Sequence, residues 1–582
     1  MIATGKLIAA MVLLTLPMYG ALGHRSGNFR SSTFWMAFPL TTAAMLLAGS
    51  LLAYAGILWA FFPLWGVSAL GVLWMCRKDW KPDSLRSMPS WKIILPGAAV
   101  FLLQAMPVAM QDFPAGWDPA CHALIAEKIR QSGTLCADWR PFEDLPMLYP
   151  QGFHTLAALL SMLTGCATHT VLQNLHLLLT FPATMLIWHI AGKTLGGRAG
   201  LFALAAYAFL TDTGNYLYFY RMGMLPTECA NGIFLGFLLL WLQREWDLRL
   251  KLAAALLCGA GIVLAHPLSG MIVLCVCGTA AVFCKDFRKL PAAAGAGAAI
   301  ALILYFLSVS GRASAGNTES IKFAEEPAMP VFHVLEEIGW SVLPLAICGI
   351  FCAWKRRKEP EIRLLLIWPG VLTGIFAVME YFFRFCIAEP FFGENFTIGI
   401  PSRFIAVSGT IFSIWAGYGM AQLSRIRRGW ILTGIFVIFC GSGIWRYFQL
   451  AQTESVPEEL QKLSAAVQRE TPDEAYVLLP GGTEAYQWFS YLAWRASLGV
   501  PIPSSENRAM LTEKWLLFGD LDGNQEKIGA YLREHRMICM LLIQAAPGRW
   551  QMAMGMPDGR FRLLRQELHF VTKQQLHSKG EN

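Results

Sequence analysis

The chain is poor in charged residues. Asp, Glu, Lys and Arg make up 15% of its 582 residues, whereas a soluble protein carries about 25%. Hydrophobic residues make up 55%, and the mean hydropathy is +0.45. An ordinary soluble protein is therefore excluded. A transmembrane β-barrel is excluded as well, because the apolar runs are continuous and lack the alternation of polar and apolar residues that barrel strands require.

Long uncharged runs occupy most of the first 447 residues. Many windows of 17 to 22 residues carry no charge, and an α-helix of that length crosses a hydrocarbon core of about 30 Å. The sequence predicts an all-α polytopic membrane protein with about fourteen transmembrane helices. The predicted spans lie near residues 7–23, 34–55, 57–75, 93–111, 170–191, 199–212, 226–243, 250–265, 267–284, 291–310, 338–354, 364–383, 403–423 and 430–447.

Basic residues lie in short links between these spans rather than in one patch. Links at 77–92, 285–289, 355–363 and 425–428 are strongly basic and fall on one side of the membrane. Because cytoplasmic loops are enriched in Lys and Arg, that side is predicted to be cytoplasmic. The net charge of +8 therefore reflects topology, and no nucleic-acid partner is expected. The links 112–169, 213–225, 311–337 and 384–402 then face outward, as do the residues after Arg446.

Targeting features favour a retained N-terminus. Residues 7–23 resemble a secretory signal peptide, but the lack of a clean small-residue cleavage site favours a membrane span. The Met-rich, Cys-tolerant composition and the lack of organelle signals favour a bacterial plasma membrane. Most of the 14 cysteines lie in spans, where thiols behave as small apolar groups. Cys121 and Cys136 share an outer loop and form either a disulfide or two free thiols.

Charged residues return after Tyr447, and residues 448–582 are predicted to form a small extracytoplasmic α/β domain. A charged helical stretch from 454 to 470 opens this domain. Strands are expected at 475–480 and 537–543, and helices at 484–498 and 526–535.

The outer loop 112–169 carries the main group of candidate catalytic side chains. Asp118 and His122 lie four residues apart, so they share one face of a helix that begins near Pro119. Such a pair suits a divalent metal ion, or a general base with an orienting partner. Asp118 also suits the role of helix cap, which does not exclude chemistry.

A second motif in this loop is Tyr-Pro-Gln-Gly-Phe-His, residues 149–154. It precedes a short amphipathic helix, 155–163, that is predicted to lie at the membrane interface. His154 is placed to donate to a phosphate or a sugar hydroxyl. The alternative is an interfacial histidine that is bonded to a backbone carbonyl.

Further candidates lie at the outward ends of later spans. Asp212 ends the sixth span, and His266 lies in the tight link between spans eight and nine. Ionisable residues at membrane depth are costly, although Asp212 also suits a solvated loop and His266 a structural role. Arg384 and Arg403 bracket the last outer link, which also carries Glu394. A guanidinium binds phosphate through two hydrogen bonds, and snorkelling to lipid headgroups is the alternative for both arginines.

This layout resembles the GT-C superfamily of integral-membrane glycosyltransferases, which use polyprenyl-phosphate-linked sugars. Members carry an essential acidic residue in the first large outer loop, followed by a proline-containing interfacial helix. Asp118 and the segment 149–152 fill these places. Asp212 stands where many members have a second acidic motif, and Glu394 and Arg403 stand in a late outer loop.

The resemblance covers residues 93–447 as an eleven-span core. Residues 1–92 are then a three-span extension, and 448–582 match the soluble C-terminal domain that recurs in the superfamily. The doubled acidic signatures of well-studied members, Asp-x-Asp or Asp-Glu, are lacking, since Pro119 follows Asp118 and Thr213 follows Asp212. A requirement for a divalent cation, Mg or Mn, is therefore open, as is the sugar donor.

The resemblance implies transfer of a sugar from a polyprenyl-phosphate-linked donor to a glycan, lipid or protein acceptor at the outer membrane face. Asp118 is then the base that deprotonates the acceptor hydroxyl, and Arg403 holds the departing phosphate. The supporting candidates are His122, His154 and Asp212 for catalysis, Asp118 and Asp212 for a metal, and Arg384, Tyr149, His266 and Glu394 for substrate binding.

Other functions fit parts of the pattern. A polysaccharide polymerase or ligase needs the same lipid phosphate at the same face. A multi-span transporter places ionisable groups near mid-bilayer, where Glu380 is a weak candidate. A non-enzymatic assembly protein would depend on its outer domain and not on Asp118.

Overall fold

In the computed structural model the described residues are 2–26, 31–77, 91–116, 118–143, 146–147, 149–243, 246–283, 288–309, 338–377, 400–453, 456–471, 475–478, 487–497, 526–527, 530, 539–546, 549–555 and 561–569.

Nineteen α-helices are present within these ranges. In chain order they are α1 (Ile2–Ser26), α2 (Ser31–Tyr54), α3 (Phe61–Cys76), α4 (Trp91–Met110), α5 (Asp118–Ser132), α6 (Gly152–Thr164), α7 (Thr168–Leu195), α8 (Gly197–Ala205), α9 (Tyr216–Met222), α10 (Leu225–Trp241), α11 (Leu248–Ala265), α12 (Pro267–Phe283), α13 (Lys289–Val309), α14 (Leu343–Trp354), α15 (Pro360–Ala377), α16 (Ile400–Leu423), α17 (Gly429–Ala451), α18 (Glu458–Glu470) and α19 (Gln487–Ala493). A 3₁₀ turn, Leu58–Ala60, precedes α3, and a π-helical turn, Ala206–Leu210, extends α8.

Each of the fourteen predicted spans coincides with one of these helices. Among the described residues, α1, α2, α7, α11, α13 and α17 are long and apolar enough to cross a membrane by length and composition alone. Most of the others are shorter apolar helices. The prediction of a polytopic helical membrane protein is therefore confirmed. The last predicted span, 430–447, is longer in the structure, because α17 continues to Ala451.

Small residues allow the membrane helices to approach closely. The α-carbon of Gly259 in α11 faces the backbone of Ala294 in α13, and a Cβ there would overlap it. Gly297 of α13 meets the backbone of Leu256 in the same way. Since apolar burial gives little driving force between helices in lipid, such close backbone packing stabilises the pair.

Helix α6 differs from the amphipathic interfacial helix that the sequence predicts. Its residues from Gly152 to Ser161 are all buried, so it has no extended exposed face. Helix α2 covers it where Gly49 packs against Leu159 and Thr155, and α11 covers its start where Gly152 meets Leu264. The expected exposed face is not formed, because neighbouring helices pack around residues 152–161; the position of α6 at the interface stays a prediction.

Helices α18 and α19 and a five-stranded sheet form the C-terminal unit, residues 456–569. The strands are β1 (Tyr476–Leu478), β2 (Ala496–Ser497), β3 (Cys539–Ala546), β4 (Arg549–Gly555) and β5 (Phe561–His569), in the order β2-β1-β3-β4-β5. β1 pairs in parallel with β2 and β3, whereas β3, β4 and β5 form an antiparallel meander. The two predicted strands correspond to β1 and β3. Of the predicted helix 526–535, only 526, 527 and 530 are described, and they are helical.

Candidate active site

Asp118 is the first residue of α5, and Pro119 follows in the first turn, as the sequence predicts. The chain reaches α5 through Gly116, whose φ of +95° lies in the left-handed region that favours glycine. A Cβ on Gly116 would lie 2.6 Å from the carbonyl carbon of Met222, so the loop packs on the backbone at the end of α9. The Asp118 side chain is partly exposed at the start of α5, where the helix dipole favours a carboxylate.

His122 and His154 form a buried hydrogen-bonded pair. His122 Nδ1 lies 3.0 Å from His154 Nε2, and both side chains are shielded from solvent. The Tyr149 ring lies against both imidazoles, with centroids 6.0 Å from His122 and 5.6 Å from His154. The structure therefore brings together three of the predicted site residues, one turn of α5 beyond Asp118.

Burial controls the charge of His154. It lowers the pKa of His154 to about 3, although the backbone carbonyls of Pro150 and Gln151 act in the opposite direction. His154 is therefore neutral at physiological pH. With one hydrogen between the two facing nitrogens, one imidazole donates and the other accepts. The pairing was not foreseen, because 32 residues separate the two histidines and no local pattern connects them.

Asp212 lies in an ion pair. Its Oδ1 accepts a hydrogen bond from Arg446 Nη1 near the end of α17. The other terminal nitrogen of Arg446 donates to the backbone oxygen of Phe209 at 2.6 Å. The same guanidinium thus holds both the carboxylate and the π-helical turn that precedes it. Within the described ranges no three His, Cys, Asp or Glu side chains form a metal-binding group.

His266 directly follows α11 and forms the tight turn to α12, which begins at Pro267. Its Nδ1 accepts a hydrogen bond from the backbone N–H of Ser269 at 3.2 Å and lies 2.8 Å from Ser269 Oγ. These contacts fit an N-terminal cap of α12, which is the structural alternative that the sequence left open.

The structure describes only some of the predicted phosphate-binding residues. Arg384 and Glu394 lie outside the described residues, and Arg403 belongs to the first turn of α16, where the backbone alone is described. Arg221, in the last turn of α9, is exposed and directly precedes Met222, whose backbone packs on Gly116.

One buried ionisable pair was missed. His176 Nδ1 of α7 lies 2.6 Å from Glu228 Oε2 of α10, and Thr180 Oγ1 donates to the other carboxylate oxygen. His176 is fully buried and Glu228 is 2% exposed. The available signal was an ionisable residue deep inside each of two neighbouring apolar helices, with His176 and Thr180 four residues apart on one face.

The C-terminal unit contacts the 111–169 region through α19. Phe113 stacks on His169 with centroids 4.4 Å apart, and Trp488 of α19 meets Phe113 edge-on at 5.1 Å. Trp494 contacts Phe142 in the same region, also at 5.1 Å. Cys121 and Cys136, in this region, are both buried free thiols, so the disulfide alternative is wrong.

No protein-family model matches the chain, and neither does any curated protein. Among solved structures the chain is similar to ArnT from Cupriavidus metallidurans bound to undecaprenyl phosphate, with 12% identity, coverage of 78% of this chain and 93% of that chain, and a TM-score of 0.54. The apo state of the same protein gives a TM-score of 0.52 at 12% identity and the same coverage. The archaeal oligosaccharyltransferase AglB from Archaeoglobus fulgidus, in complex with an inhibitory peptide and a dolichol-phosphate, gives 0.49 at 10% identity, with 81% of this chain and 74% of that chain covered.

ArnT has the GT-C fold. The similarity over most of both chains confirms that this protein has a GT-C-like fold, as the sequence resemblance predicted. At 12% identity the likeness defines the fold alone.

Proposed function

We propose that the chain is an integral-membrane glycosyltransferase. It moves a sugar from a polyprenyl-phosphate-linked donor to a glycan, lipid or protein acceptor at the outer face of a bacterial plasma membrane. The observation that carries the proposal is the position of Asp118, at the start of α5 and one turn before the buried His122–His154 pair, in a GT-C-like fold. The similar ArnT structure is bound to undecaprenyl phosphate, which is a lipid phosphate of the proposed kind.

Asp118 acts as the general base in this reaction. Its carboxylate takes the proton of the acceptor hydroxyl, and the acceptor oxygen forms a bond to the anomeric carbon of the sugar. The bond between that carbon and the phosphate oxygen breaks at the same time, and the electron pair leaves with the lipid phosphate. The configuration at the anomeric carbon is inverted, and the proton then passes from Asp118 to solvent.

The leaving phosphate needs a cation or hydrogen-bond donors, since negative charge develops on it in the transition state. Arg403 and Arg384 stay predictions for this role. Arg221 is a third candidate, because it is exposed next to the backbone that packs on Gly116 and has no ion-pair partner among the residues described. A guanidinium fork suits a phosphate better than a lysine ammonium does.

A metal ion shared by Asp118 and Asp212 would compete with Arg446, because this guanidinium already compensates the Asp212 carboxylate through Oδ1. The reaction above therefore contains no metal-dependent step, and the divalent cation stays an untested prediction.

The proposal is tested by analysing lipid-linked sugars and surface glycans in cells that carry the wild type or Asp118→Asn. We expect Asp118→Asn to accumulate a polyprenyl-phosphate-linked sugar and to lose one surface glycan. Asp112→Asn is the matched control, because Asp112 is an exposed aspartate six residues earlier in the same region. Normal lipid and glycan profiles in Asp118→Asn cells would overturn the proposal. An accumulated lipid with a long glycan chain would point to a polymerase or ligase.

A transporter is the second candidate, and the His176–Glu228 pair favours it. Proton-coupled carriers use buried ionisable pairs between membrane helices, and this pair joins α7 to α10. Proton-coupled uptake by the purified protein in liposomes, abolished in Glu228→Gln, would support this function. If the protein is a transporter, the lipid-linked sugars of Asp118→Asn cells should also match those of the wild type.

A further inference from the structure

Gln111, Gln173 and Tyr220 form a buried cluster of hydrogen-bonded side chains at the start of the segment 111–118, and the reaction proposed above uses none of them. Tyr220 Oη donates to Gln111 Oε1 at 2.7 Å. Gln173 Nε2 donates to Tyr220 Oη at 3.1 Å and to the backbone oxygen of Gln111 at 2.9 Å. Gln111 Nε2 donates to the backbone oxygen of Leu450 in α17 at 2.5 Å. Because buried polar groups need partners, these bonds fix α7, α9 and α17 relative to the residue that follows α4.

Helix α9 connects this cluster to the residues on both sides of Asp118. Its start is capped by Asn215, whose Oδ1 accepts from the backbone N–H of Tyr218 at 3.0 Å. Its end is Gly223, with a φ of +70°. A Cβ on Gly223 would lie 2.6 Å from Pro119 Cγ, and Met222 packs equally closely on Gly116. The end of α9 thus touches the chain just before and just after Asp118, with no side chain between.

We propose that Tyr220 is a positioning residue for Asp118. Its hydrogen bond to Gln111 sets the position of α9 relative to the start of the segment 111–118. Residues 222 and 223 at the end of α9 contact Gly116 and Pro119, so the position of α9 determines that of the chain around Asp118. Tyr220 does not touch donor or acceptor in this scheme. The inference rests on the proposed function, in which Asp118 is the base. A small displacement of a catalytic group lowers the rate because the reacting atoms lose their alignment.

The same helix provides a matched control. Tyr216 lies one turn before Tyr220, is fully buried like it, and stacks on it with ring centroids 5.4 Å apart. The Tyr216 hydroxyl has no hydrogen-bond partner within the described part of the chain. Tyr216→Phe therefore repeats the chemical change of Tyr220→Phe without removing a hydrogen bond.

The experiment uses the donor lipid that accumulates in Asp118→Asn cells, with membranes of those cells as acceptor, and the donor that these membranes already contain is quantified and counted in the donor concentration. Full-length wild type, Tyr220→Phe and Tyr216→Phe are reconstituted, and initial rates are measured over a range of donor concentrations. We expect kcat of Tyr220→Phe to fall on the order of tenfold with little change in KM, because the base is displaced while substrate contacts remain. Tyr216→Phe is expected to match the wild type.

Gln111→Met tests the same hydrogen bond from its other end. In the Gln111→Met background, Tyr220→Phe is expected to cause little further loss of kcat, because both substitutions remove the same hydrogen bond and their effects are therefore not additive. Binding of undecaprenyl phosphate, followed by tryptophan fluorescence, is the readout that a positioning role leaves nearly unchanged in Tyr220→Phe. Thermal unfolding is measured in parallel, and we expect a modest fall in Tm, because Gln111 and Gln173 lose a buried hydrogen-bond partner.

A wild-type kcat in Tyr220→Phe overturns the inference, and so does an equal loss in Tyr216→Phe. A loss of kcat that comes with a matching loss of undecaprenyl phosphate binding also overturns it, because it indicates damage to the whole site and not displacement of the base alone. None of these outcomes contradicts the proposed function, provided that Asp118→Asn cells accumulate the donor lipid. If Asp118→Asn accumulates no donor lipid, the proposed function fails and the inference falls with it.

Discussion

The Tyr491 hydroxyl of the C-terminal unit lies 2.8 Å from Thr168 Oγ1 and 3.0 Å from His169 Nδ1, in the first turn of α7. Thr168 Oγ1 also lies within hydrogen-bond distance, 3.3 Å, of Glu127 Oε2 in α5. Burial raises the pKa of Tyr491, so the hydroxyl stays protonated at neutral pH. One phenol therefore links the C-terminal unit to the helix that begins with Asp118.

Tyr491→Phe removes this link and keeps the ring. We expect it to destabilise the protein by about 1–2 kcal/mol, because Thr168 and His169 lose a buried partner. Thermal unfolding of the purified protein in detergent measures the effect. Tyr54→Phe is the control. Because Tyr54 is 55% exposed, we expect this variant to have the same Tm as the wild type. Equal Tm values for Tyr491→Phe and the wild type would show that the unit is held by its aromatic contacts alone.

The buried His154 predicts a pH dependence of stability. Its pKa is about 3 in the folded protein and 6.5 for an unperturbed histidine, so the unfolded chain takes up the proton first as the pH falls. The stability contributed by His154 is thus complete above pH 6.5 and is lost progressively between about 6.5 and 3. His154→Gln keeps an uncharged polar group, and its Tm should fall less steeply over this pH range. Parallel Tm curves for the two proteins would contradict the prediction.

Asp212 is a candidate both for a structural ion pair with Arg446 and for catalysis, and substitutions can separate these two roles. Its ion pair with Arg446 is partly open to solvent, with side-chain exposures of 40% and 36%, so it should stabilise the protein by about 1 kcal/mol or less. If the pair is structural, Asp212→Asn should lower Tm slightly, and Arg446→Met should lower it more because it also removes the hydrogen bond to the backbone oxygen of Phe209. Adding Asp212→Asn to Arg446→Met should then cause little further loss. A donor-lipid accumulation in Asp212→Asn that is absent in Arg446→Met would instead assign Asp212 to catalysis.

The helical architecture followed from the sequence because hydrophobic length is a local signal. Each predicted span coincides with a helix, and the ends of these helices differ from the predicted ends by a few residues. The C-terminal strands β4 and β5 were missed for the opposite reason. Their sequences contain Arg, Gln and Met, which favour strands weakly, so the strands depend on pairing with β3.

The candidate site followed only in part from the sequence. The position of Asp118 at the start of a helix was predicted from Pro119 and the spacing to His122. The partners of the site residues were not, because hydrogen bonds such as His122–His154, Asp212–Arg446 and His176–Glu228 join distant parts of the chain. A linear pattern identifies residues that can react, whereas the packing of helices decides which of them are already paired.

The His176–Glu228 pair predicts different outcomes for two substitutions of the same residue. Glu228→Gln retains an acceptor for Thr180 and a donor for His176, so it should be tolerated with a small change in Tm. Glu228→Leu leaves both partners buried without a hydrogen bond, which should cost about 2–4 kcal/mol. Thermal unfolding and membrane yield of the two variants measure this difference. Equal stability of Glu228→Leu and Glu228→Gln would mean that the pair contributes nothing to the packing of α7 against α10. A role of the pair in proton binding would then be the remaining explanation.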